Sequence, residues 1–181
     1  MAAAAGADTS ASQLPSKVTL KSSDGQTFVV EGRVIQQSSV IKTMIQDLSM
    51  DSNADAEDSE KNVIPLHDVK GNILEKVLKW CEQHADDVEP PKEEIERPKP
   101  VEIPEWDAQF FKVDNDTLFE VIKAANYMEI RKLLEITCKM VADMIKGKTP
   151  EQIRETFGIE DDLTEEEKAQ IRKENEWCMD S

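Results

Sequence analysis

Between Gly147 and Trp177 the chain signals two helices that have almost nothing of their own to bury. Thr149 stands where a cap belongs, with Pro150 at the first helical position and Gln152 three residues on, the spacing of a capping box. Gly158 supplies the left-handed residue on which helices end. Thr164 repeats the signal with Glu167, and Glu165, Glu166 and Glu167 lie where the helix dipole favours negative charge. Yet the first helix carries only Ile153 and Phe157 as large apolar groups, and the second mainly Ile171 before Trp177. Helices this short are marginal alone in water, because tertiary packing supplies most helical stability. They require another surface, and the sequence points to another protein's. Residues 149–181 are therefore expected to fray in the free protein and to become protected on binding.

Composition agrees with binding more than with chemistry. The 181 residues support one compact domain with tails. Thirty-eight acids face 22 bases, a net charge of −16. That argues against nucleic acid or an anionic membrane as partner, since phosphate binding needs clustered Lys and Arg. Cys81, Cys138 and Cys178 are odd in number and widely spaced, so no disulfide framework is implied and a reducing cytoplasmic or nuclear compartment fits. No apolar run approaches the ~20 residues of a membrane-spanning helix. The opening Met-Ala-Ala-Ala-Ala-Gly-Ala lacks the charged and apolar regions of a signal peptide.

Residues 1–16, rich in Ala, Ser and Gly, read as a disordered tail. Val18 and Leu20, the turn Asp24-Gly25 and the return run Thr27-Phe28-Val29-Val30 signal a hairpin. Ser38 or Ser39 can cap a helix with the stripe Val40, Ile41, Met44, Ile45, Leu48. Asp51–Glu60 holds five acids and no base and reads as a solvated loop. Val63-Ile-Pro-Leu66 is a short strand whose Pro suggests an edge or an end. Ile73, Leu74, Val77, Leu78 and Cys81 trace one helical face with Trp80 beside it. From 86 to 104 prolines interleave with Glu and Lys in a flexible, extended insert. Trp106, Phe110 and Phe111 resume the core, and Asp114, Asn115 and Asp116 offer caps for a helix over 116–126. The next helix carries Ile130, Leu133, Leu134, Thr137, Cys138, Val141, Met144 and Ile145 before Gly147, with Ile136 and Met140 on its other side. A helix apolar on two faces is buried between layers or touches something else.

Few residues could carry chemistry. Cys81 and His84 form a Cys-x-x-His pair, but a structural zinc needs four convergent ligands. Cys138 and Cys178 would have to arrive from afar, and Cys81 and Cys138 read as apolar-face residues. No orienting group, oxyanion motif, Gly-rich phosphate loop or Ser-centred elbow accompanies the pair. The expectation is a chain with no catalytic residue, no metal and no cofactor. Tyr127, after Asn126 at a helix end, is either an ordinary half-buried aromatic or an exposed anchor at an interface. Trp177 divides the same way.

A set of stretches in order resembles one family. They are Lys21-Ser-Ser-Asp-Gly25, Ile41-Lys-Thr-Met44, Ile64-Pro-Leu66, Trp80-Cys81, Ala124-Ala-Asn-Tyr127, Cys138 with Val141-Ala142, Met144-Ile-Lys-Gly-Lys-Thr-Pro150, Arg172-Lys-Glu-Asn175 and Trp177-Cys178. Covering essentially residues 17–178, they resemble the S-phase-kinase-associated adaptor (Skp) family, which bridges F-box proteins to the cullin in SCF ubiquitin ligases. The resemblance implies an α/β, BTB/POZ-type fold over 17–146, a small three-stranded sheet with surrounding helices. Loops near 51–61 and 86–104 interrupt it, and a helical F-box-binding extension occupies 147–181. By position, Asn126 and Tyr127 match the cullin contact. Leu118, Phe119, Leu134, Val141, Ile145, Ile153, Phe157 and Trp177 match the F-box side. The implied function is a non-enzymatic adaptor promoting substrate ubiquitination and degradation, with the RING protein reached indirectly through the cullin. Weak self-association of the free protein through its apolar surfaces is a further expectation. The alternatives are a subunit of a non-degradative complex, in kinetochore or vacuolar-ATPase assembly, and an elongin C-like adaptor, against which the helices after Gly147 argue.

Overall fold

A computed structural model describes residues 15–47, 63–87 and 101–175. Most of the N-terminal tail, the acidic loop, most of the Pro-rich insert and Trp177 lie outside the described residues. Pro15 and Ser16, assigned to the tail by their composition, belong to the fold: Pro15 is buried and the Ser16 carbonyl accepts the Gly32 N–H at 3.1 Å.

The hairpin forms as its sequence indicates. Strands β1 (Lys17–Lys21) and β2 (Thr27–Glu31) pair antiparallel with Val18 opposite Val30 and Leu20 opposite Phe28. Gly25 takes φ 85°, and its N–H donates to the Ser22 carbonyl at 3.0 Å, which closes the turn. Strand β3 (Val63–Pro65) adds to β1 in parallel, giving the order β2-β1-β3. Pro65 ends that strand on the sheet's edge, where a residue without an N–H is tolerated.

Between β2 and β3 a 3-10 turn (Val34–Gln37) leads into α1 (Ser39–Asp47), and Ser38 caps α1 by accepting the Ile41 N–H at 3.2 Å. Helix α2 (Gly71–Gln83) has no capping side chain of its own. Asp24, from the hairpin turn, accepts the Gly71 N–H at 3.0 Å and stands in as its cap. Ile73, Leu74, Val77, Leu78 and Cys81 are buried as the periodicity indicates, and Trp80 is wholly buried with them. Helix α3 (Glu105–Phe110) comes after the insert and carries no sequence signal strong enough to expect it. Trp106, assigned to the core by its apolar bulk, is 39% exposed; Phe111 is the aromatic that the core takes.

Helix α4 (Asn115–Tyr127) is capped by Asp114, whose carboxylate accepts the Thr117 N–H at 2.8 Å, and it packs on α2. Helix α5 (Arg131–Ile145) buries Leu133, Ile136 and Thr137. Leu134 and Val141 are half-buried, Cys138 is exposed and Ile145 is 40% exposed. The reading of Cys138 as an apolar-face residue is thereby corrected: Leu133, Ile136 and Thr137 turn to the core, and the Leu134–Cys138 side of the stripe is left outward. Gly147, at φ 75°, lies just beyond the helix, and the Lys148 N–H donates back to the Ile145 carbonyl at 3.0 Å.

The chain divides into two compact units, residues 1–141 and 142–181. In the second, α6 (Pro150–Phe157) and α7 (Glu165–Glu174) each begin with a complete capping box, at Thr149 and Thr164. Gly158 closes α6 at φ 63°, and Ile159 bonds back to the Arg154 carbonyl at 2.9 Å, a Schellman closure. Neither helix buries a residue.

Candidate protein-interaction surfaces

The end of α4 presents Asn126, exposed, and Tyr127, half-buried. A closing turn over residues 128–130 fixes their backbone. The Glu129 N–H donates to the Asn126 carbonyl at 3.1 Å and the Ile130 N–H to the Ala125 carbonyl at 2.9 Å. This is the same double closure as at Gly158, but the left-handed position, φ 51°, is filled by a glutamate. A side chain there costs roughly 1–2 kcal/mol, so the surroundings must hold the turn. They do so on both sides. Met128 and Ile130 are each 1% exposed, and Ser38 donates its hydroxyl to the Met128 carbonyl at 2.5 Å, across 90 residues of sequence.

A second surface runs along the outer stripe of α5, where Leu134, Cys138, Val141 and Ile145 recur at helical spacing. On α4, Phe119 is half-buried beside an open, charged depression that it lines with Lys70, Asp116, Glu120, Ile122 and Lys123. Leu118 is different. At 1% exposure it is a core side chain and offers no surface to a partner, because it falls on the inward face of α4 with Val121 and Ala125.

The C-terminal unit carries the rest. Ile153 and Phe157 on α6 are half-buried, Ile159 is 55% exposed and Ile171 is 45% exposed. Sequence reasoning does not single out Ile159, although the position after a helix-closing Gly is one that hydrophobic residues favour. Ion pairs dress the unit's polar side: Lys168 reaches Asp161 at 2.7 Å and Glu165 at 3.0 Å, and Arg172 lies 3.7 Å from Glu151. The Lys168 ammonium holds the Asp161 carboxyl below its ordinary range. Such exposed pairs contribute ~0–1 kcal/mol each.

The Cys81–His84 pair is structural. Burial pushes the Cys81 thiol up to about 12, which suppresses the reactive thiolate. His84 stacks on Trp80 with ring centroids 4.3 Å apart. Its Nδ1 lies 2.6 Å from an Asp87 oxygen and its Nε2 3.1 Å from Asp107, so both ring nitrogens are engaged. Asp107, wholly buried, also accepts the Trp80 indole N–H at 2.6 Å, and Lys132 pairs with Asp87. This polar clasp joins α2, α3 and α5. Among the described residues no group of three or more His, Cys, Asp or Glu is arranged to hold a metal, and no helix is long and apolar enough to cross a membrane.

A small three-stranded mixed sheet followed by helices, as in the first unit, defines a fold of the POZ class. Comparison with known proteins makes this specific. Residues 16–86 match the Skp1 family tetramerisation domain, and residues 131–178 match the Skp1 family dimerisation domain. The chain is 47% identical to a Skp1-related protein of Caenorhabditis elegans, over 91% of this chain and 92% of the relative. It is 46% identical to the E3 ubiquitin ligase complex SCF subunit sconC of Arthroderma otae, over 91% and 96%. It is 47% identical to suppressor of kinetochore protein 1 of Schizosaccharomyces pombe, over 91% and 99%. The chain belongs to the Skp1 family.

Proposed function

We propose that this protein is the non-enzymatic adaptor of an SCF-type ubiquitin ligase, joining F-box substrate receptors to a cullin and so promoting substrate ubiquitination and degradation. The observation that carries the reading is the unsatisfied apolar surface of the C-terminal half. Two fully capped helices bury no residue, while Ile159 and Ile171 stand open to solvent. An F-box segment laid on such surfaces supplies the missing cover, and each apolar anchor it buries is worth ~1.5–3 kcal/mol. Phe119, Leu134, Val141, Ile145, Ile153 and Phe157 are the described residues assigned to that side, with Trp177 completing it. Leu118 acts behind them as core.

The cullin side is Asn126 and Tyr127, on a turn braced from within the first unit. The RING protein is reached only through the cullin. The adaptor works in the cytoplasm and nucleus, without metal, cofactor, nucleic acid or membrane, and its free form self-associates weakly through the same apolar faces. A relative whose name refers to the kinetochore supports a second, non-degradative role in assembly.

The test uses the full-length protein. Tyr127→Lys is expected to weaken capture of a cullin N-terminal repeat by at least about thirtyfold, the effect of losing one ~2 kcal/mol hot spot, while F-box capture is retained. Loss of both together in a variant with an unchanged melting curve, or retention of both, defeats the two-surface reading. Partner identification after affinity purification from native lysate then separates the ligase role, with cullin and RING protein present, from an assembly role without them.

A further inference from the structure

We infer that Ser38 is a positioning residue for the Asn126–Tyr127 surface, an inference that rests on the cullin reading above. Three observations lead there. The turn after Tyr127 runs through a left-handed glutamate at φ 51°, a conformation that does not hold itself. The Met128 carbonyl at that turn accepts the Ser38 hydroxyl at 2.5 Å, in a site where both residues are 1% exposed. The same Ser38 oxygen accepts the Ile41 N–H at 3.2 Å and so starts α1. One buried hydroxyl therefore ties the first turn of α1 to the last turn of α4. Nothing else in the sequence around Ser38 foretells this bond, since its partner lies 90 residues away.

The physical consequence is a population effect. A partner that docks on Tyr127 needs the turn in its folded form, and its apparent affinity falls in proportion to the fraction of molecules holding that form. A buried hydrogen bond of ordinary strength, once removed, leaves the Met128 carbonyl without this partner and loosens the turn. Ser38 touches no partner itself; it acts through the backbone on which Tyr127 sits.

The decisive variant is Ser38→Gly. Glycine is an adequate helix cap, costing only a few tenths of a kcal/mol relative to serine, so α1 keeps its start while the bond to Met128 is lost. Binding of the purified variant to a cullin N-terminal repeat is expected to weaken roughly three- to tenfold, the factor that a buried hydrogen bond of ordinary strength supplies. F-box binding is expected to change less than twofold. Asp114→Ala, which removes the cap at the opposite end of α4, serves as the comparison: a general loss of stability weakens both binding reactions in both variants alike.

Hydrogen exchange on the unsubstituted protein gives an independent readout should Ser38→Gly fail to fold. Adding the cullin repeat is expected to protect the amides of Glu129, Ile130 and Ile41 together. Protection confined to residues 126–130 overturns the inference. If Tyr127→Lys abolishes cullin binding but a folded Ser38→Gly binds normally, Ser38 has no positioning role and the cullin reading stands. If Tyr127→Lys itself binds normally, the reading falls and the inference with it.

Discussion

Leu74 on α2 and Ile171 on α7 are aliphatic side chains on short, amphipathic helices, and the fold treats them oppositely. Leu74 is wholly buried on a helix that packs on α4, whereas Ile171 is 45% exposed. The same contrast separates the two units. In the first, α2 lacks a capping side chain and borrows Asp24 from a distant turn, yet buries seven of its residues. In the second, α6 and α7 have complete capping boxes and bury none. One unit is held by packing that reaches across the chain. The other shows bonds between residues close in sequence, ion pairs and only half-buried apolar side chains. Local bonds define a shape cheaply but leave the apolar faces of that shape open, which is the property a receptor surface requires.

The largest test of this contrast is a matched pair of truncations. Leu74→Ala is expected to cost about 2–5 kcal/mol in chemical denaturation, through lost transfer energy and the cavity left behind. Ile171→Ala is expected to stay within about 0.5 kcal/mol, as surface substitutions do. Equal losses would mean that the second unit has a core after all.

Next in size is the cap. Thr149→Ala is expected to destabilise α6 by about 1 kcal/mol. The change should appear as faster amide exchange over residues 150–157, with little movement of the global unfolding midpoint. Addition of an F-box protein should suppress that exchange. A fall in the midpoint as large as that of Leu74→Ala would make the two units one cooperative block.

The smallest expected effect concerns acid. Lys132, then His84, hold the Asp87 carboxyl below its ordinary value of 3.8. A depressed folded-state value means that the stability it contributes is present above the unfolded-state value and is lost as pH falls below it. Asp87→Asn should therefore flatten the stability profile below about pH 4 and leave its shape near neutrality unchanged. Asp87 is partly exposed, so solvent screening keeps the effect to a fraction of a kcal/mol. An unchanged acid limb in the variant would assign the loss to other carboxylates.

Much of the fold was legible because its signals are short-range. The Asp24-Gly25 hairpin, the Thr149 and Thr164 capping boxes and the Gly158 closure involve residues no more than five apart, so the sequence shows both partners at once. The candidate surfaces rest chiefly on family resemblance, which named Asn126, Tyr127 and the α5–α6 apolar residues together with Leu118, a core side chain. Helical period explains that inclusion: Leu118 and Phe119 are adjacent apolar residues, and only packing on α2 shows which of them turns inward.

What the amino-acid order determined by itself is where the locally capped elements start, stop and turn, since their caps, left-handed glycines and strand alternation act over a few residues. Helix α2, capped by distant Asp24, and α3 are the exceptions. What the tertiary structure alone decided is which apolar side chain becomes core and which becomes surface. Trp80 was taken into the core and Trp106 left 39% exposed. Ile136 went inward while Cys138 stayed out, and Ser38 found Met128. Burial depends on neighbours brought together from far along the chain, and no local pattern contains them.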